Sequence, residues 1–169
     1  MTRFVVVSLF VLSISACTSA HVTPLTGEDP EVVALLGAGP SDDPSVSALA
    51  AARRLHQALV QDDTQMVWTL LSANTQKALD ERGAAIATNG RELIDRSTLP
   101  GPNGTLRTVR YETIFFVAHL SDLREAAPSP TNAAPGTKHD VLAVAEDGTT
   151  NNISFVREAD GWKLDKTGF

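Results

Sequence analysis

The hydrophobic pattern of this chain changes its period once, at a segment that interrupts regular structure. Before Pro100 the apolar residues recur at the three- and four-residue spacing of an amphipathic helix, and after Gly104 they alternate as in β-strands. The segment between them, Pro100-Gly101-Pro102-Asn103-Gly104, favours neither state. Helices followed by an antiparallel meander make an α+β fold, so we predict N-terminal helices packed on an antiparallel sheet.

Three helices and a short fourth piece are expected in the first half. Asp43-Pro44 predicts the start of the first helix, with Asp43 as N-cap and Pro44 in the first turn, and this helix should end near residues 62–63. A second helix follows over residues 66–71, and Ser72 is placed to cap a third. Residues 90–97 add a short helical piece.

The second half is expected to be β-structure. The run from Leu106 to Leu120 is rich in β-branched and aromatic residues that alternate in direction, so we predict one long central strand. Tyr111, Phe115, Val117 and His119 then share one face of that strand. The remaining strands are expected at 140–145, 151–156 and 162–165, with hairpin turns at Asp147-Gly148 and Asp160-Gly161.

Composition limits the partners and cofactors. The formal net charge is −6, and loss of a leader that contains Arg3 leaves −7, which argues against nucleic acid or an anionic lipid surface as a partner. The single cysteine rules out an internal disulfide and Cys-rich metal sites. The four histidines show no paired metal spacing, and no Gly-rich phosphate loop or nucleophile elbow is present, so we expect no metal and no cofactor.

The N-terminus has the pattern of a signal peptide. Arg3 supplies a positive start, and the apolar run from Phe4 to Ile14 is too short to span a bilayer as a mature helix. The run ends in Ile14-Ser15-Ala16-Cys17, which resembles the bacterial lipobox. That resemblance implies cleavage after residue 16 and a lipid on Cys17 that anchors the chain to a membrane.

The resemblance also implies a location in the cell envelope. The residue after the cysteine is Thr18 rather than Asp, and in Gram-negative lipoproteins this favours the outer membrane, on its periplasmic side. Two alternatives stay open at this point. In the first, the leader is an ordinary secretory signal that is cut near Ser15-Ala16. In the second, it is an N-terminal membrane anchor that is never cut.

Residues 17–43 are expected to form a flexible tether, because they are rich in Ser, Thr, Pro, Gly and acidic residues. The stretch from Glu31 to Leu36 is the exception. Its apolar residues predict one helical turn that docks on the domain, or a motif that binds a partner. The folded domain is expected over residues 44–169.

Two passages carry a resemblance to a fold superfamily. They are AARRLHQALVQDDTQMVWTLLSANTQKAL, which lies within the helical half, and ISFVREADGWKLD, which closes the strands. Both resemble the nuclear-transport-factor-2-like superfamily, and most of all its small secreted or lipoprotein members. The resemblance covers roughly Ser45 to Asp165. It implies a curved antiparallel sheet that wraps against helices as a cone with a pocket.

Enzymes of that superfamily place an Asp or His inside the cone to move a proton, which directs attention to His119 and to Asp140. Together with Tyr111 they are the candidate catalytic residues, a His beside a carboxylate being a plausible general base. His56 is interpreted as a packed helix residue. The expected pocket-lining residues are Tyr111, Phe115, Val117, Trp68 and Trp162, with a place in the core as the alternative for the two tryptophans.

Three functions are compatible with these patterns. The first is a non-enzymatic, lipid-anchored domain of the bacterial envelope that binds a small apolar ligand or an envelope protein. The second is a small proton-transfer enzyme, an isomerase or dehydratase, that uses His119 with Asp140 or Tyr111. The third is a structural component of an envelope complex, with the turn over residues 32–36 as its contact. The fold alone does not choose among them.

Overall fold

A computed structural model gives the fold of this chain over residues 43–130 and 132–169. The leader, Cys17, the tether and the turn at residues 32–36 lie outside the described residues. Within the described ranges no helix is long and apolar enough to cross a bilayer.

Five helices occur in the described part of the chain, and four of them begin with the same device. Ser47, Asp63, Ser72 and Asn89 each accept a hydrogen bond from the backbone N–H three residues further on, at distances of 2.9 to 3.1 Å. Such caps satisfy amide groups that have no partner within the helix. The helices are α1 (Ala48–Val60), α2 (Thr64–Thr69), α3 (Ala73–Ala84), α4 (Gly90–Asp95) and α5 (Tyr111–Phe115).

The predicted start of the first helix is wrong by a few residues. The Asp43 carboxylate accepts from the Ser45 amide at 2.8 Å, and its carbonyl accepts from the Val46 amide at 2.9 Å. These bonds close a turn over residues 44–46, so Ser47 becomes the N-cap and the helix begins at Ala48. The cap of the third helix by Ser72 is confirmed.

The predicted long strand from Leu106 to Leu120 is also wrong, because the structure divides it into three elements. These are β2 (Leu106–Thr108), the helix α5 and the start of β3 (Leu120–Glu125). Tyr111 and Phe115 are four residues apart, a spacing that puts two side chains on one face of a strand and of a helix alike. In α5 their rings pack at a centroid distance of 5.4 Å, and both are buried.

The Pro100–Gly104 break is confirmed, and it forms the loop of a small hairpin. β1 (Thr98–Pro100) pairs antiparallel with β2, the Gly101 amide donates to the Thr105 carbonyl at 2.9 Å, and Gly104 takes a φ of 70°. The Val109 amide extends this pairing to the Ser97 carbonyl at 2.8 Å.

The main sheet is an antiparallel meander in the order β3-β4-β5-β6. The α+β class is confirmed, and the strongly curled sheet forms a half-barrel against the helices. The predicted hairpin turns fall between its last strands, with Gly148 and Gly161 both at positive φ. The strands not yet given are β4 (Lys138–Ala145), β5 (Thr150–Glu158) and β6 (Gly161–Leu164).

The core lies between the sheet and α1, which packs against β3, β4 and β6. The buried face of α1 consists mostly of alanine, and its one large member is Leu55. Short side chains let the helix backbone approach the sheet closely. Opposite them, Phe155 and Trp162 of the sheet and Phe115 of α5 are almost fully buried.

The last strand is held from two further segments. The Trp162 amide donates to the Pro44 carbonyl at 3.0 Å, and the Leu164 amide donates to the Leu70 carbonyl at 2.9 Å. Leu164 in turn accepts from the Ser72 amide at 2.9 Å and from the Thr75 hydroxyl at 2.8 Å. The chain before α1 and the chain between α2 and α3 are thereby fixed to the sheet.

Replacement of Gly161 by alanine is expected to destabilise the fold. Gly161 has a φ of 146°, which L side chains rarely adopt, and a Cβ there lies 3.2 Å from the Pro44 carbonyl oxygen. We expect Gly161→Ala to lower the free energy of unfolding by about 1–3 kcal/mol in urea denaturation. Gly148→Asn is the matched control, because asparagine tolerates its positive φ and nothing lies within 4 Å. Equal stability of Gly161→Ala and wild type contradicts this account.

Candidate functional site

A groove of about 790 Å³ opens between the C-terminal ends of α1 and α4, the start of α2, the end of β2 and the start of α5. Hereafter it is called the groove. Its volume falls within the range of roughly 300–1,000 Å³ that small-molecule sites occupy.

One part of the groove lining is aliphatic. Val60, on the last turn of α1, exposes 64% of its surface. Val67 and Ile94, by contrast, are buried and join the groove to the core. Small-molecule sites are lined mainly by apolar side chains, so an aliphatic lining of a concave surface is compatible with ligand binding. The aliphatic lining residues are Leu59, Val60, Val67, Ile94 and Val109.

The charged part of the lining is mainly acidic. Asp62, Asp95 and Glu112 contribute carboxylates, and Arg110 contributes the one guanidinium. The Thr64 hydroxyl donates to the Asp95 carboxylate at 3.3 Å and so connects α2 with α4. Asp62 has a φ of 53°, a left-handed conformation that Asp adopts more readily than most residues.

A histidine and a carboxylate meet at the α5 side of the groove. Nε2 of His56 lies 3.2 Å from Oε1 of Glu112, and the other carboxylate oxygen accepts from Arg110 at 3.3 Å. The His56 ring packs edge-on against Phe116 at a centroid distance of 5.9 Å. An ionised carboxylate only accepts, so this contact places a hydrogen on Nε2 and leaves Nδ1 as the acceptor in a neutral imidazole.

The sequence does not predict the contact between His56 and Glu112. They are 56 positions apart, and His56 was interpreted as a packed residue of the first helix. Its ring does pack, against Phe116, but its Nε2 atom is also bound to Glu112. No local spacing could reveal this pair, because Glu112 was assigned to a strand rather than to the first turn of α5.

Tyr111 lines the groove and is fixed by its hydroxyl. The hydroxyl donates to the Thr98 carbonyl at 2.8 Å, and the residue is 4% exposed. Burial raises the pKa of the phenol well above its ordinary value of 10.0. Tyr111 therefore stays neutral at physiological pH, and its hydroxyl group keeps the proton that it donates to the Thr98 carbonyl.

The structure does not bring His119 and Asp140 together. His119 is exposed in the turn before β3, and its carbonyl accepts from the Glu146 amide at 2.9 Å. Asp140 lies toward the other end of β4, so at about 3.3 Å per residue the two backbone positions are roughly 20 Å apart. Its carboxylate accepts from the Ser154 hydroxyl at 2.5 Å.

A smaller depression of about 420 Å³ lies at the Asp140 end of β4. Its lining includes His139, whose ring packs edge-on against Trp162 at 6.0 Å. Nε2 of His139 is buried and has no hydrogen-bond partner. Lys138 also lines this depression, and its ammonium group donates to the Asp165 carboxylate at 2.7 Å.

The expected pocket-lining residues separate into two groups. Tyr111 lines the groove, whereas Phe115 and Trp162 lie in the core at 0% and 1% exposure. Trp68 and Val117 are half-buried and pack against that core. Over residues 43–130 and 132–169, no three His, Cys, Asp or Glu side chains are grouped so that they could hold a metal ion.

The single tyrosine of the chain gives a direct measurement of this site. We expect the ultraviolet absorbance that reports phenol ionisation to rise well above pH 10 in the folded protein and near pH 10 in the urea-unfolded protein. Because folding favours the neutral phenol, the stability from Tyr111 is fully present below pH 10 and is lost as pH rises toward the folded pKa. Titration of the folded protein near pH 10 contradicts the burial of this hydroxyl.

Comparison with known proteins adds no further constraint to this geometry. No family model, no curated protein and no solved structure matches the chain.

Proposed function

We propose that this chain is a lipid-anchored binding protein of the bacterial envelope and that the groove is its binding site. The groove itself carries the proposal. Its aliphatic residues and its charged residues lie side by side in a concave surface, which is the composition of a site that binds a ligand and fixes its orientation. This is a non-enzymatic function.

The anchor rests on the N-terminal sequence. A positive start, a short apolar run and the sequence Ile14-Ser15-Ala16-Cys17 support a lipid on Cys17, and Thr18 supports the outer membrane in a Gram-negative host. The tether of residues 17–43 then holds the binding domain at the membrane surface. A lipid with two or more chains is sufficient for stable anchoring without a spanning helix.

The proposal includes membership of the nuclear-transport-factor-2-like superfamily. A strongly curled antiparallel sheet with helices against it is compatible with the cone of that superfamily. Between the sheet and α1, however, the space is filled by buried side chains such as Phe155 and Trp162. We therefore assign ligand binding to the groove on the helical side rather than to the interior of the cone.

Lipidation of Cys17 is tested by expression of the full chain in a bacterial host beside Cys17→Ser. We expect the wild type to lose residues 1–16, to gain a lipid-sized mass and to enter the detergent phase on phase separation. All three changes should be absent in Cys17→Ser, because the thiol is the attachment point. Identical lipid-free, water-soluble products from both chains would refute the anchor.

Binding in the groove is tested with a fragment panel that contains neutral, anionic and cationic members of small size. We expect at least one class to shift the backbone amide resonances of Val60, Ile94 and Val109. Thr108→Trp places a large side chain at the groove and should weaken that binding at least tenfold.

The matched control is Thr150→Trp, which changes an exposed threonine at the start of β5, away from the groove. It should bind as the wild type does. Resonance shifts that map to the β4 depression, or equal effects of the two tryptophans, would contradict the assignment of the groove.

A further inference from the structure

We infer that the groove takes an extended peptide, which adds a strand to the open edge of β2 and places a side chain in the groove. The inference rests on the proposed function, since it names the kind of partner that the groove binds. It is carried by three observations: the unpaired backbone groups along β2, the position of these groups beside the groove, and the unpaired charge of Arg107.

The hydrogen bonds of the β1–β2 hairpin show which residues of β2 face β1. The Thr105 carbonyl and the Val109 amide both bond to the β1 side of the hairpin, at 2.9 and 2.8 Å. Successive residues of an antiparallel strand point their N–H and C=O groups to opposite sides. Arg107, midway between these two, therefore faces β1 as well, and Leu106 and Thr108 face away from it.

The groups that face away are unpaired in the structure. Over residues 43–130 and 132–169, no hydrogen bond reaches the amide or the carbonyl of Leu106 or Thr108, and β2 has no strand on its other side. Both residues are exposed. The edge thus presents two donors and two acceptors, repeated after about 6.6 Å. An extended backbone has the same repeat, so the chemistry of this edge specifies a strand as its partner.

The open edge adjoins the groove. Thr108 lines the groove, and Leu106, two residues before it, has its side chain on the same face of the strand. Leu106 exposes 52% of its surface, and Val60 in the groove lining exposes 64%. In a strand added to β2, the residue opposite Thr108 points to the groove side and the residue opposite Leu106 contacts that leucine. Aliphatic side chains suit both positions.

Arg107 determines the peptide residue between those two positions. Its side chain lies on the opposite face of β2 from Thr108. It is exposed and forms no ion pair with any residue that the structure describes. The position opposite Arg107 in an added strand is a non-hydrogen-bonded pair, where facing side chains are closest and opposite charges stabilise the pairing. The peptide that fits has the order aliphatic, acidic, aliphatic.

A second copy of this chain fits the edge less well than such a peptide. If two β2 strands pair through all of their outward groups, Leu106 of each copy lies opposite Thr108 of the other. That register places Arg107 opposite the same residue of the other copy, and like charges directly opposite each other destabilise a strand pair. We therefore commit to a peptide segment of another protein.

The first test uses the capped peptide acetyl-Thr-Val-Glu-Val-Thr-amide and the same sequence with every backbone N–H replaced by N–methyl. We expect the first peptide to shift the Val60 amide resonance and to slow hydrogen exchange at Leu106 and Thr108. Exchange at Arg107 and Val109 should change little, because those amides already face β1. The methylated peptide should bind at least tenfold more weakly, since it has the same side chains and no backbone donors. Equal binding of the two peptides would overturn the inference.

The variant for this test is Leu106→Pro, which removes one outward donor and sets a proline ring in the path of an added strand. Proline is tolerated on an edge strand where the N–H faces solvent, so we expect the hairpin to remain. Leu106→Ala is the matched control, because it loses the same side chain and keeps the amide. Peptide affinity should fall at least tenfold in Leu106→Pro and no more than about threefold in Leu106→Ala.

A urea midpoint for Leu106→Pro that matches the one for Leu106→Ala checks that the proline variant is folded. An equal loss of peptide affinity in the two variants would show that Leu106 acts through its side chain alone and would overturn the strand pairing. The comparison of the two peptides uses the wild-type chain, so it decides the inference even if the proline variant does not fold.

The acidic position is tested by replacement of the peptide glutamate with lysine. We expect the lysine peptide to bind the wild type several-fold more weakly, and the two peptides to bind Arg107→Gln equally, because that variant has no charge at the facing position. Equal binding of the two peptides to the wild type would overturn the predicted order of residues in the peptide.

The remaining outcomes separate this inference from the proposed function. If members of the fragment panel shift the groove amides and no peptide does, the peptide is wrong and groove binding stands. If neither fragments nor peptides shift them, the proposed function fails as well. If exchange at Leu106 and Thr108 slows as the concentration of the chain alone is raised, the occupant of the edge is a second copy and the inference is overturned.

Discussion

The attachment of β6 to the segments before α1 and after α2 determines most of this structure. β6 pairs with β5 on one edge, and on the other its residue Leu164 exchanges backbone hydrogen bonds with the chain at residues 70–72. Those partners are more than 90 positions apart, so their contact closes a long loop of chain. Once it is made, α1 and α3 are fixed relative to the sheet, and the helix ends that form the groove are fixed with them. The site thus depends on contacts that contain none of its own residues.

Local chemistry in the sequence was sufficient for much of the fold. The Ser72 cap, the break at residues 100–104 and the two Asp-Gly turns are decided within a few residues, and the structure has them where the sequence places them. Asp43 was misassigned because an Asp before Pro caps a turn as readily as a helix, and the difference is set by Pro44 binding Trp162. The segment 106–120 was misassigned because a four-residue spacing of aromatic side chains satisfies both periods. In this segment, packing against the core selects the helix over the strand.

The candidate site was much less accessible from the sequence than the fold. The groove takes its residues from α1, α2, α4, β2 and α5, and these segments are separated by tens of residues. His119 and Asp140, which the sequence predicts as a pair, are far apart because His119 lies in the turn before β3 and Asp140 lies toward the other end of β4. One signal in the sequence lies at two helix ends: Asp62 follows the C-cap of α1, Asp95 is the last residue of α4, and neither helix has a basic residue in its last turn. A helix end of that kind departs from the usual charge preference, and such departures are informative when they recur at one place.

The alanine face of α1 has a consequence for how chains of this kind can diversify. Ala48, Ala51 and Ala52 are fully buried against the sheet, and they set the distance between helix and sheet. A larger residue at any of them would displace α1 as a rigid rod, since interiors are close-packed and have no slack to absorb a methylene. Leu59 and Val60 lie on the same rod. Evolution could therefore widen or narrow the groove through a substitution on the opposite side of the helix, in a position that does not line the groove.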